Sequence, residues 1–127
     1  MQKLLFLSLI TLFSCSQNAQ TQNVLDAEKT ENMLKSDGSV QLVDVRTPSE
    51  WQQTGVIEGA KRINFNGADF QEQIALLDKN KPVIVYCAAG GRSPKAASMM
   101  IKMGFNKVYN YSGGMNDWKA KGKKTVQ

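Results

Sequence analysis

The segment Val83-Ile84-Val85-Tyr86 constrains the fold more than any other part of the chain. Three β-branched residues in succession leave no polar face, so a strand built from them must be covered on both sides. The turn signal Asn80-Lys81-Pro82 precedes it. Cys87-Ala88-Ala89-Gly90-Gly91-Arg92-Ser93 follows it, and nothing there continues the strand. Pro94 then opens a helical pattern, at a position where a missing N–H costs nothing. Ala96, Ala97, Met99, Met100, Ile101 and Met103 supply its apolar residues, and Gly104 stops it. A doubly covered strand followed by a helix is the repeating unit of a parallel α/β sheet.

The rest of the chain alternates in the same way. Asp26 predicts the N-cap of a helix reaching about Lys35, with Met33 and Leu34 facing inward. Asp37-Gly38 reads as a turn and Gln41 to Val45 as a strand. Thr47-Pro48-Ser49-Glu50 reads as a capping box opening a short helix that Gly55 ends. A brief strand is expected over Arg62 to Phe65. A helix is expected over Ala68 to Leu77, with Phe70, Ile74 and Leu77 on one face. Lys107 to Tyr109 reads as a last strand and Met115 to Lys121 as a last helix. The chain has 127 residues and no internal repeat, enough for one core. The expected fold is α/β, with a small, mostly parallel sheet of about five strands and helices on both faces. Ligands of such sheets bind beyond the carboxyl ends of the strands, which is where Cys87 falls.

The chemistry of that position follows from its neighbours. A free thiol titrates near about 8.5, and the thiolate is the reactive form. A helix N-terminus and a cation both favour the thiolate, and Ser93-Pro94 and Arg92 offer them. Between Cys87 and Arg92 lie only Ala88, Ala89, Gly90 and Gly91, whose small side chains let an anion approach the main chain. Both glycines are expected to permit positive φ, turning consecutive N–H groups inward as an anion-binding nest. The plain alternative is a small buried hydrophobe, the usual role of a lone cysteine after an apolar strand. The glycine pair and the arginine favour a reactive, partly exposed Cys87 at the bottom of a bowl.

Cys87-x-x-Gly90-x-Arg92-Ser93 resembles the active-site loop of rhodanese-like sulfurtransferases. Leu42-Val43-Asp44-Val45-Arg46-Thr47-Pro48-Ser49-Glu50-Trp51, continued by Gly55-Val56-Ile57-Glu58-Gly59-Ala60, resembles the family's upstream block. Gly104-Phe105, Val108-Tyr109 and Gly113-Gly114-Met115-x-x-Trp118 resemble its closing segment. The resemblance runs over about residues 24 to 121. The family often carries histidine where this chain has Val56, and the chain has no histidine at all. No imidazole is therefore present as general base, and N–H dipoles and Arg92 must activate Cys87. Tyrosine-phosphatase-type loops are one residue longer between cysteine and arginine. The shorter loop fits a sulfur atom better than a phosphoryl group.

The resemblance implies a two-step relay. Cys87 is the catalytic nucleophile, and Ala88, Ala89, Gly90, Gly91, Arg92 and Ser93 hold the substrate. Cys87 takes a sulfane sulfur from a small anionic donor such as thiosulfate and becomes a persulfide. It then hands the sulfur to a thiol, to cyanide or to a thiol-carrying protein. A binding module that holds an anion or persulfide without turnover is the rival reading. A redox sensor acting through sulfenic acid at Cys87 is a third.

Asp44, Arg46 and Glu50 read as a structural network, with Arg46 pairing Glu50 and Asp44 accepting nearby backbone N–H groups. Trp51 and Trp118 read as packing residues, and Met99, Met100 and Met103 as core. No cofactor is implied, and the lack of histidine disfavours a metal site. The net charge of +5 suits anionic substrates. No basic-aromatic stripe points to nucleic acid, and Lys119, Lys121, Lys123 and Lys124 read as a solvated tail.

Residues 1–14 read as a signal peptide. Lys3 supplies the positive region, and Leu4 to Phe13 form an apolar stretch too short to span a bilayer. Leu12-Phe13-Ser14-Cys15 looks like a bacterial lipoprotein cleavage box, with Cys15 the lipidated first residue of the mature chain. The alternative is an ordinary secretory signal cut later, although Ser16 to Gln20 offers no good cleavage site. Residues 15–23 are then a polar tether and residues 24–127 the domain. The expected location is outside the cytoplasm, membrane-anchored, facing the periplasm or the cell exterior. Cys15 and Cys87 are the only cysteines, so lipidation of Cys15 leaves Cys87 without a resolving partner.

Overall fold

The computed structural model describes residues 22–127. The expected signal peptide, Cys15 and most of the expected tether lie outside the described residues. In chain order the elements are β1 (Asn23–Leu25), α1 (Ala27–Ser36), β2 (Gln41–Asp44), α2 (Pro48–Thr54), β3 (Val56–Ile57) and β4 (Lys61–Arg62). There follow α3 (Phe70–Ala75), β5 (Val83–Tyr86), α4 (Ser93–Lys102), β6 (Val108–Tyr111), α5 (Gly114–Ala120) and β7 (Thr125–Val126). Five strands form one sheet in the order β1-β6-β5-β2-β4, all parallel. The α/β sheet read from the sequence is the fold observed.

The period-2 alternation of β5 divides the interior. Val83 and Val85 point to one face, where Val43 and Val45 meet Phe70 and Ile74 of α3 and Ala96, Ala97 and Met100 of α4. Ile84 and Tyr86 point to the other, where Leu42 and Tyr111 meet Ala27 of α1 and Met115 and Trp118 of α5. Helices therefore cover both faces, and all four residues of β5 are buried. Successive connections leave β2 toward β4 and β5 toward β6, in opposite directions along the sheet. The crevice between the carboxyl ends of β2 and β5 is thus a topological switch point, where such sheets bind ligands.

A buried ion pair closes that end of β2. Arg46 is 2% and Asp44 0% exposed. The Arg46 guanidinium donates through Nη2 to Asp44 Oδ2 at 2.8 Å and through Nε to both carboxylate oxygens at 3.1 Å. Its other donors reach Thr54 Oγ1 and the Gly55 carbonyl, both at 2.8 Å, so β2 is tied to the end of α2. Asp44 also accepts from the Arg46 N–H at 2.9 Å and from Trp51 Nε1 at 3.0 Å. The expected pairing of Arg46 with the Glu50 carboxylate does not form. Residues two apart at a strand end share a face, which brings Asp44 to Arg46; α2 turns the Glu50 side chain elsewhere. Arg46 instead reaches Glu50 through Nη1, which donates to the Glu50 main-chain carbonyl at 3.5 Å.

Three short strands have no counterpart in the sequence reading. Asn23 belongs to β1, at the sheet edge, rather than to a tether. β3 and β7 pair antiparallel, with Val56 opposite Val126 and Ile57 opposite Thr125. The lysine-rich end is consequently not a free tail. Lys121 pairs with Asp117 at 2.7 Å, and Lys123 pairs with Glu31 while lying over the Trp118 ring. The Lys124 carbonyl accepts from Trp118 Nε1 at 2.9 Å. β4 covers only the start of the expected Arg62–Phe65 strand, although the Ile63 and Phe65 N–H groups still bond β2-side carbonyls. α3 is shorter than expected, and β6 runs on to Tyr111. Among the described residues no helix is long and apolar enough to cross a membrane.

The buried pair yields a stability test. Arg46→Met leaves the Asp44 carboxylate buried without its partner and is expected to cost about 3–5 kcal/mol in urea unfolding. Asp44→Asn combined with Arg46→Met is expected to cost clearly less. Equal losses in the single and double variants would show that the uncompensated charge is not the cause.

Candidate active site

Cys87 lies directly beyond β5, the central strand, and begins the loop that ends at α4. The loop is held from behind by α5. The Met115 N–H donates to the Cys87 carbonyl at 2.8 Å and the Asn116 N–H to the Ala88 carbonyl at 3.0 Å. Such close docking excludes a side chain at Gly114, where a Cβ would sit 2.4 Å from the Cys87 carbonyl oxygen. Gly90 makes the turn, with φ of +87°, and a Cβ there would sit 2.6 Å from the Ser112 carbonyl oxygen. Gly91, expected to share the left-handed conformation, does not adopt positive φ; one reversal at Gly90 suffices to bring the chain round.

With the carbonyls turned outward, the loop presents donors to the sulfur. The Gly90 N–H donates to Cys87 Sγ at 3.2 Å, and Ser93 Oγ lies 3.5 Å from the same atom. Ser93 is the first residue of α4, and its hydroxyl turns to the sulfur rather than capping the helix. Cys87 is only 1% exposed and borders the apolar cluster of one sheet face, so the thiol expected to be partly exposed is in fact buried. Burial by itself pushes the Cys87 thiol up. The Ser93 hydroxyl and the N–H groups of Ser93, Arg92 and Gly90 outweigh it and hold the thiol below its ordinary value. Arg92 thus acts on the sulfur through its main-chain N–H, and its guanidinium interacts with the thiolate only through space. Ala88 is half-buried, while Ala89 and Gly91 are exposed and rim the loop.

The Arg92 side chain is engaged elsewhere. Its Nη1 and Nη2 donate to Glu50 Oε1 and Oε2 at 2.8 and 2.9 Å, a two-pronged pair spanning 42 positions. Hydrogen bonding to Arg92 is the main cause that lowers the Glu50 carboxyl from its ordinary value, and the same bonds raise Arg92. Thr47 caps α2, accepting from the Glu50 N–H, and its hydroxyl donates to Glu50 Oε1 at 3.2 Å. The capping box therefore forms only in part, because the Glu50 carboxylate reaches Arg92 instead of the Thr47 N–H. Asp44 and Arg46 form their own closed pair beside it. Among the described residues no three His, Cys, Asp or Glu side chains converge to hold a metal ion.

The sequence reading missed the residues that hold the loop from outside. Ser112, Gly114, Met115 and Asn116 contribute through main-chain atoms, which sequence alone marks only by the Gly113-Gly114 doublet. Trp51, which the sequence marks as packing, also donates its ring N–H to Asp44 Oδ1.

Two expectations follow for the thiol. The rate of Cys87 alkylation by iodoacetamide is expected to rise through a midpoint below that of a free thiol. Ser93→Ala removes a donor to the thiolate, so its midpoint moves to higher pH and its rate at pH 7 falls by about tenfold. An unchanged pH profile in Ser93→Ala would remove the hydroxyl from this account. Gly114→Ala is expected to lose about 1–3 kcal/mol of stability and to slow alkylation, since the added methyl separates α5 from the loop.

Comparison with known proteins agrees with this geometry. A sulfurtransferase of Allochromatium vinosum is 31% identical over 96 residues, covering 76% of this chain and 87% of that protein. The thiosulfate sulfurtransferase GlpE of Pseudomonas savastanoi pv. phaseolicola is 37% identical over 87 residues, 68% of this chain and 78% of that protein. The solution structure of the polysulfide-sulfur transferase homodimer from Wolinella succinogenes superposes with a TM-score of 0.72 at 27% identity, over 83% of this chain and 78% of that one. Residues 26–121 match the Rhodanese-like domain family, and the chain belongs to that family.

Proposed function

We propose that this protein is a sulfurtransferase that carries a sulfane sulfur on Cys87. The observation that supports the reading most directly is the Gly90 N–H donating to Cys87 Sγ, with the Ser93 hydroxyl beside it. Those donors stabilise a negative sulfur, first as thiolate and then as persulfide. In the first step the Cys87 thiolate attacks the outer sulfur of a donor such as thiosulfate. The Sγ–S bond forms, the donor's S–S bond breaks, and sulfite leaves with the electron pair. In the second step an acceptor thiolate attacks the outer persulfide sulfur, and the Cys87 thiolate is the leaving group. No proton transfer is required in either step when both nucleophiles are ionised, which is consistent with a chain that lacks histidine.

The same proposal extends to residues 1–21. Their pattern supports export and lipidation at Cys15, with the domain membrane-anchored, facing the periplasm or the cell exterior, and thiol-bearing molecules as acceptors. Metabolic labelling with a palmitate analogue is expected to mark the full chain and not Cys15→Ala. Labelling of both, or of neither, overturns the anchor.

Intact-mass measurement after incubation with thiosulfate tests the catalytic reading. The wild type is expected to gain one sulfur atom, mapped to Cys87, and to lose it on adding cyanide or a thiol. Cys87→Ser is expected to gain none and to show no thiosulfate:cyanide turnover while keeping its thermal unfolding midpoint. A stable adduct that no acceptor removes would instead favour a holding module. Faster oxidation by peroxide than loading by thiosulfate would favour a sensor.

A further inference from the structure

Arg92 is the only charged side chain in the segment from Cys87 to Ser93, and Glu50 holds both of its terminal nitrogens. The geometry is the planar, two-bond match of guanidinium to carboxylate, the strongest form of that contact. Glu50 is fixed on its own side by the N-terminal turn of α2 and by the Thr47 hydroxyl. The two side chains are 25% and 30% exposed, so solvent screens their charges only partly. Arg46, just past the end of the neighbouring strand β2, is closed off by Asp44, and Arg62 lies one strand farther from Cys87, at the end of β4. With the thiolate formed, Glu50 offsets part of the attraction between Arg92 and the sulfur, whose negative charge is left incompletely compensated.

We propose that Glu50 is a specificity-determining residue, occupying Arg92 so that the site discriminates against doubly charged sulfur donors. This rests on the sulfur-transfer reading for its consequence. A dianion such as thiosulfate approaching the thiolate meets like charge without the relief of a free arginine. A donor with a single charge or none beside the transferred sulfur meets less repulsion. The chain's overall positive charge draws anions to the surface generally; Glu50 sets what the loop itself prefers.

Paired alkylating reagents test this without requiring sulfur transfer. Iodoacetate is an anion and iodoacetamide is neutral, and both react with the same thiolate. The ratio of their rates therefore cancels any change in thiolate population and reports local charge. Glu50→Gln keeps hydrogen-bonding capacity and removes the charge. It is expected to raise the iodoacetate:iodoacetamide ratio about three- to tenfold, with a similar drop in KM for thiosulfate. Glu50→Gln combined with Arg92→Gln is expected to return the ratio to the wild-type value, because a neutral pair has replaced a neutral pair. A purely structural role for Glu50 would slow both reagents alike and leave the ratio where it was, which overturns the proposal. Should Glu50→Gln fail to fold, Arg92→Gln alone approaches the question from the other side. It leaves the Glu50 charge uncompensated and must lower the ratio; an unchanged ratio there also overturns it. A wild type that alkylates with the expected charge dependence but takes no sulfur from any donor defeats the sulfurtransferase reading instead, so the two failures are separable.

Discussion

A loop that turns its N–H groups toward one sulfur atom must turn its carbonyls away from it, and those carbonyls need donors of their own. Here the first turn of α5 supplies them, through Met115 to Cys87 and Asn116 to Ala88. This contact determines much else. It demands a glycine at 114 and sets α5 against the face that Tyr111 and Trp118 fill. The inward donors are then available at no further conformational cost when charge develops on the sulfur.

The two arginines near the loop illustrate how burial separates similar residues. Arg46 is sealed under α2, with its donors divided among Asp44, Thr54 and Gly55, and it holds β2, α2 and the start of β3 in one arrangement. Arg92 stands at the rim with a single carboxylate partner, close enough to the sulfur to matter electrostatically and exposed enough to be reached. A permanent charge that is buried fixes geometry. The same charge at a mouth, partnered but part-exposed, adds to the field that approaching solutes meet.

Much of the fold was legible because its signals are local. The β-branched run of β5, the Asp26 and Thr47 caps and the apolar face of α4 each declare an element within a few residues. The strands that escaped notice are two or three residues long and draw their order from partners far along the chain. β7 is stabilised by β3, and β1 by β6. The lysines around 119–124 read as a solvated stretch because composition does not show that Glu31 and the Trp118 ring lie opposite Lys123.

The sequence by itself determined the α/β alternation, the placement of Cys87 at the end of the most apolar strand, and the small residues that let a loop close around it. These follow from side-chain size, branching and the spacing of turn residues. Only the tertiary structure decided which charge meets which. Glu50 lies four residues from Arg46 and 42 from Arg92, yet it pairs with the distant one. Direction outweighs proximity along the chain: a strand end points Asp44 and Arg46 the same way, and the first turn of α2 points Glu50 across the crevice to the loop.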